Sequence, residues 1–215
     1  MINFRLPGKL RLALEFAALF AGAPAALAIL APGAFLLPVL WVFALICLLA
    51  LRRDPFFNRA RLSRVGDWRP ALTKVLLRFA VCAVGMAAVI LAVMPGNFLR
   101  LVRDKPLVWM LVMIFYPLLS VLPQGIVYRA FLFHRYRGLV SDQALLIMGA
   151  IAFSLAHLPF GNAWALGFTL IGGFMFGDTY LKSRSMLISC FEHALYGCLV
   201  FTIGFGAFFF HGTPR

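Results

Sequence analysis

Five side chains in the second half of this chain are of types that do chemistry when they are held away from water. Gln124 and Arg129 lie in Pro123-Gln124-Gly125-Ile126-Val127-Tyr128-Arg129-Ala130-Phe131-Leu132-Phe133-His134-Arg135-Tyr136. His157 ends Phe153-Ser154-Leu155-Ala156-His157, and Glu192 and His193 open Glu192-His193-Ala194-Leu195-Tyr196-Gly197. Histidine and glutamate can take up and return protons, whereas the amide of Gln124 keeps the shape of a glutamate but accepts no proton near neutral pH. Phe153 and His157 are four residues apart and share a helix face, as do His193 and Gly197. Two histidines on different helices, with the polar end of a third, could converge on one cavity. The other reading of each histidine is a packing or interhelical hydrogen-bonding residue.

The elements that must position these groups are membrane helices. The chain is 63% hydrophobic and 13% charged, with a mean hydropathy of +0.96, far more apolar surface than 215 soluble residues could bury. An all-α polytopic bundle of about seven transmembrane helices (six to eight) is expected, forming one integral-membrane domain over 1–215. Polar residues at depth are costly in such a bundle and face its interior, which is what singles out Gln124, Arg129, His157, Glu192 and His193, with Asp178 near a span end.

In chain order, helices are expected over about 12–30, 34–51, 75–95, 143–158, 163–180 and 185–209, with a fourth segment that begins at Pro106 and runs without a break past Pro123 into the stretch 123–136. Ala31-Pro32-Gly33 and Pro95-Gly96-Asn97 read as turns. Ala25-Ala26-Leu27-Ala28 resembles a signal-peptide cleavage site, but Glu15 and Pro24 interrupt the apolar core before it, so a retained first helix is expected. The net charge of +13 is carried by short loops, with Arg52, Arg53, Arg59, Arg61, Arg64, Arg69 and Lys74 in the most polar stretch. Anionic lipid and topology signalling account for such loops, which removes nucleic acid as a partner and leaves membrane lipid. Basic loops alternate with nearly uncharged ones, apart from 96–106, giving seven spans with the N-terminus cytoplasmic. A bacterial inner membrane is the expected location. Arg78, near the cytoplasmic end of the third helix, is expected to snorkel to the interface. Cys47, Cys82, Cys190 and Cys198 lie in apolar segments without CxxC spacing and read as buried thiols.

The order and spacing of the polar motifs resemble the CPBP family, the CAAX-protease and bacteriocin-processing membrane proteins also known as abortive-infection proteins. Its motifs are Glu-Glu-x-x-x-Arg, Phe-x-x-x-His and His-x-x-x-Asn or Asp. Here the first aligns on Gln124-Gly125-Ile126-Val127-Tyr128-Arg129. The second matches at Phe153 and His157, and the third matches at His193 with Gly197 in its last place. The resemblance covers about 106–210 and implies an intramembrane endopeptidase acting on a membrane-proximal peptide or protein. In such an enzyme the first glutamate activates water, a histidine assists, and the third motif holds the oxyanion.

The departures fall on that chemistry. Gln124 cannot be the base, and Gly197 offers no amide to an oxyanion. Gly125 removes an acid that would sit one turn from Arg129, so Arg129 is expected to snorkel or to find another acid; Gly125 also loosens the helix locally. Glu192 could replace the base or pair with Arg129, although it points about 100° away from His193. Two histidines without a carboxylate fall short of a catalytic zinc set, so no cofactor is expected and zinc is disfavoured. Two functions stay open: a CAAX-type endopeptidase with a rearranged base, and an inactive homologue that binds a peptide, a lipid or a membrane-protein partner.

Overall fold

The computed structural model of the chain describes residues 8–30, 35–65 and 68–209; the expected turn at Ala31-Pro32-Gly33 lies outside them. Among the described residues there are seven long helical segments and no strand. They are α1 (Gly8–Leu30), α2 (Leu36–Arg53), α3 (Trp68–Val93), α4 (Pro106–Arg135), α5 (Asp142–Leu155), α6 (Ala163–Ser183) and α7 (Met186–Ile203). Except for α6, each of these stretches is long and apolar enough to cross a membrane, α5 when counted through Phe160. Helix α6 falls short because it carries glycines and Asp178. Those glycines serve packing instead: a Cβ on Gly173 would lie 2.9 Å from the Ala150 Cα, so α5 and α6 meet nearly backbone to backbone.

Local sequence explains the helix boundaries. Ser141, Asn162 and Ser185 cap α5, α6 and α7, their side-chain oxygens accepting from the amides of Ala144, Ala165 and Ile188. Helix α7 stops at Ile203 because Gly204 turns to φ 117°, and residues 205–209 continue as a tighter 3₁₀ turn rather than completing the helix expected to 209. Helix α3 begins at Trp68, two turns earlier than expected, so Lys74 is helical. Helix α5 ends at Leu155, which leaves His157 just beyond it.

Helix α4 has two wide, π-helical turns, Pro117–Val121 and Ile126–Phe131. Pro123 lacks an amide hydrogen and crowds the Leu119 carbonyl, and the first wide turn, which contains Leu119, relieves it. Gly125 itself stays helical at φ −61°, ψ −42°, so the expected loosening takes the form of the wide turn that begins at Ile126. Every residue from Pro123 to His134 is buried. The second half of α4 is therefore the central post of the bundle, where a simple membrane exit would have been exposed.

The helices run alternately between two ends. At one end His134 Nε2–H donates to Asp54 Oδ2 at 2.7 Å, Arg135 pairs with Glu15 at 2.7 Å, and Ser185 Oγ donates to the Arg64 carbonyl at 2.5 Å. These bonds gather the start of α1, the loop after α2, the end of α4 and the α6–α7 turn. At the other end the Leu99 amide bonds to the Ile203 carbonyl, and Asn162 Nδ2 donates to the Phe208 carbonyl. The core between them is aromatic, with Phe20, Tyr136, Phe153, Phe176 and Tyr180 all at most 3% exposed.

Candidate functional site

The ring of Phe153, near the end of α5, is the hub of the site. His157 lies against it at 5.0 Å between centroids and His193 of α7 at 5.3 Å, so one phenyl group holds both histidines. The Arg129 guanidinium of α4 covers the same ring at 4.9 Å, and the Phe176 ring at 5.7 Å. The polar residues of three helices thus converge through an aromatic wedge, and the phenylalanine that precedes His157 by four positions is the wedge.

Each histidine is oriented by a second contact. The Phe153 carbonyl can only accept, so His157 Nδ1 is the donor in their 2.8 Å bond, and in the neutral ring Nε2 is left as an acceptor. His193 stacks on Phe176 at 4.7 Å and 19°, and its Nε2 shares a 3.1 Å hydrogen bond with the Tyr116 hydroxyl. Gln124 Nε2 donates to Ser120 Oγ at 2.7 Å, while its buried Oε1 has no hydrogen-bond partner.

Arg129 neither snorkels nor meets an acid. It is 2% exposed, donates to the Tyr128 carbonyl at 3.1 Å and is otherwise held by the two phenyl faces, with Nε left without a partner. Helix α4 delivers it to the buried interior of the bundle, where cation–π contact replaces the missing ion pair. Glu192 is engaged elsewhere. It is fully buried against Arg78 of α3, which bonds its Oε1, and Arg78 also donates to Thr179 Oγ1 at 2.8 Å and lies 3.9 Å from Asp178. Arg78 therefore turns inward instead of snorkelling, because two acids on α6 and α7 face it. Asp178 is completed by Lys182 at 2.8 Å, one turn along α6.

The two glycines at motif positions are not gaps. A Cβ on Gly125 would run into Cys190 Sγ of α7, and a Cβ on Gly197 would run into the Tyr116 ring of α4. Helix α7 fills the space where α4 has lost a side chain, and α4 fills the space where α7 has lost one. Tyr116 and Cys190 escape a reading of short motifs because they belong to other helices. One signal was available: Tyr116, Ser120 and Gln124 recur every four residues and form a polar stripe on one face of α4.

These groups line one side of a cavity of about 1580 Å³, whose wall takes residues from all seven helices. Among the described residues no Asp, Glu, Lys or Arg lines it. Tyr116, Ser120, Gln124, His157 and His193 cluster there against a largely aliphatic and aromatic wall. No three His, Cys, Asp or Glu side chains among the described residues gather closely enough to hold a metal ion. With two histidines and no carboxylate, the donor set does not fit a catalytic zinc. What the arrangement offers is hydrogen bonding on one wall of a largely apolar, half-open cavity.

A family model described as type II CAAX prenyl endopeptidase Rce1-like matches residues 106–199. That segment runs from the start of α4 into α7 and contains all three motif positions. No curated protein and no solved structure is similar enough to the chain to count as a match.

Proposed function

Since residues 106–199 belong to the CAAX-protease (CPBP) family, we propose that this chain keeps the family's membrane bundle and cavity but binds a ligand there without hydrolysing a peptide bond. The observation that carries this reading is the pair of filled motif positions: Cys190 stands where a side chain at 125 would go, and Tyr116 where one at 197 would go. With Gln124 in the first place, the described cavity wall has no carboxylate to activate water. Glu192 does not substitute, because it is committed to Arg78 and stands outside the cavity lining. In this proposal the membrane is a bacterial inner membrane and the N-terminus is cytoplasmic. The orientation is supported by Arg52, Arg53, Arg59, Arg61 and Arg64 gathering with Arg135 at the end from which α1 starts.

The test is a cleavage assay in proteoliposomes, with peptides reporting CAAX-type and leader cleavage, run beside His157→Ala and His193→Ala. The natural chain is expected to give no more product than either variant. Cleavage by the natural chain that is lost in His157→Ala would establish an endopeptidase with a rearranged base and overturn the proposal.

A further inference from the structure

The cavity has a floor at one end of the bundle and none at the other. At the end where Arg52, Arg53, Arg59, Arg61 and Arg64 gather, the lining stops short on every helix. The nearest lining residue lies at least seven residues from that end, about 10 Å at 1.5 Å per residue. Leu132, Tyr136, Leu145 and Tyr180, each at most 1% exposed, fill the layer between. Toward the other end the lining runs almost to the helix termini, with Phe35 just before α2, Val108 two residues after Pro106, and Phe201 two residues before Ile203. Phe35, Val39 and Val42 on the α2 side and Val108, Leu111 and Phe115 on α4 line the cavity and are also 39–62% exposed on the outside of the bundle. Among the described residues the cavity is therefore continuous with the hydrocarbon of the leaflet at that end.

The same end carries the loop 96–106, whose Arg100, Arg103 and Lys105 break the alternation of charge. Under the positive-inside rule these residues oppose the orientation set by the arginine-rich end, so topology gives no reason for them. The loop is folded: Arg100–Asp104 form a short helix entered through Leu99 at φ 54°, the Leu99 amide bonds to the Ile203 carbonyl, and a Cβ on Gly204 would meet the Asn97 carbonyl. Asp104 pairs with Arg100 at 3.4 Å, and among the described residues no acid pairs with Arg103 or Lys105, both exposed. Lys105 is the N-cap of α4, one turn before Val108 at the cavity rim. Two cations without acids thus border an apolar opening. An anion at the rim joined to alkyl chains below it is the complement of that arrangement, since an alkyl chain asks neither a hydrogen bond nor a counter-ion of the wall.

We infer that the cavity takes an acyl chain of an anionic phospholipid from the leaflet opposite the arginine-rich end, with the phosphate held at the rim by Arg103 and Lys105. This rests on the reading of the cavity as a non-hydrolytic binding site, and with the N-terminus cytoplasmic that leaflet is the outer one.

Two phospholipid probes share an acyl chain ending in a diazirine and differ in headgroup, phosphatidylglycerol against phosphatidylcholine. Each is loaded by lipid exchange into the outside leaflet of phosphatidylcholine liposomes holding the natural chain in one orientation or the other, checked by trypsin access to the arginine-rich loop. After illumination, labelled peptides are located by mass spectrometry. Cavity-wall peptides are expected to label about 25-fold more with phosphatidylglycerol, from about fivefold for each of two basic residues near the membrane surface. That labelling is expected only when the loaded leaflet is on the Lys105 side. Arg103→Gln with Lys105→Gln should bring the ratio near one, whereas Arg53→Gln with Arg64→Gln, at the other end, should leave it unchanged. Gly85→Leu projects bulk from a lining position with nothing within 4 Å of its added Cβ, and raises helix propensity, so it narrows the cavity in a folded protein. It is expected to cut cavity labelling about tenfold while labelling of outer-face peptides stays constant. Equal labelling by the two headgroups, equal labelling from the two leaflets, a ratio untouched by the Arg103 and Lys105 changes, or labelling confined to outer faces would each overturn the inference. So would stronger cavity labelling by an apolar transmembrane peptide carrying the same diazirine. Peptide cleavage by the natural chain would overturn the non-hydrolytic reading without altering the lipid labelling, so the two failures are distinct.

Discussion

Removing Arg78 should damage this protein far more than an arginine on a mostly apolar helix suggests, and removing Glu192 with it should repair most of the damage. Glu192 is fully buried, and among the described residues the Arg78 guanidinium is the cation that bonds it. Arg78→Leu strands a carboxylate in the bundle, a change that costs about 3–5 kcal/mol in buried pairs. Glu192→Leu is milder, because Arg78 keeps Thr179 Oγ1 at 2.8 Å, the Met175 carbonyl at 3.3 Å and Asp178 at 3.9 Å. In the double variant no stranded carboxylate remains, so the loss should fall well short of the sum of the single losses. The assay is reversible unfolding in detergent micelles, read by far-UV circular dichroism, for the natural chain, both single variants and the double. A coupling of about 2 kcal/mol or more between the sites is expected, against the 0.3–0.5 kcal/mol scatter of independent sites. Additive losses, or a Glu192→Leu variant worse than Arg78→Leu, would refute the assignment of this pair as the bolt between α3 and α7. The pair matters to the site because it sets the rotation of α7, and with it the direction of His193.

Other outcomes follow from the same contacts. Gly197→Asn should destabilise by about 1–3 kcal/mol, as overpacking does, and Tyr116→Ala in the same chain should recover much of that; thermal melts of the three variants decide it. Ser185→Ala removes the α7 cap and the bond to the Arg64 carbonyl, and should cost about 0.5–2 kcal/mol by denaturant titration. The Asp54 carboxyl is held below the usual carboxylate range, first by the hydrogen bond from His134 and then by the Phe56 amide. A depressed carboxylate contributes stability that is full above its unfolded pKa and is lost as pH falls through the folded one. Melting temperature should therefore drop on acidification below about pH 4, and Asp54→Asn should flatten that part of the profile.

The helices and their order could be read from the chain because apolar blocks of membrane length, proline and glycine punctuation and capping residues are local features. The motif residues could be read because a spacing of four fixes a shared face. What escaped was the rotation of one helix against another. Arg78 was expected to reach for the interface because nothing local shows Glu192 and Asp178 turned toward it, and Arg129 was expected to seek an acid because its two phenyl neighbours lie 24 and 47 residues further along. His157 fell just outside its helix because α5 ends two residues short of it. Cys190 was invisible as a site residue, and Tyr116 showed only as one member of a four-residue polar stripe; that each completes the other helix's missing side chain is seen only in the packing.

In the proposed non-hydrolytic reading, the filled motif positions block hydrolysis by space as well as by acid–base chemistry, and one assay separates the two. Peptide cleavage is measured for the natural chain, for Gln124→Glu with Gly125→Glu, and for the same pair with Cys190→Ala, which clears the Sγ from the path of a side chain at 125. The expected result is no cleavage by the natural chain and more cleavage by the triple variant than by the double. Cleavage by the natural chain that disappears in His157→Ala would contradict the central claim.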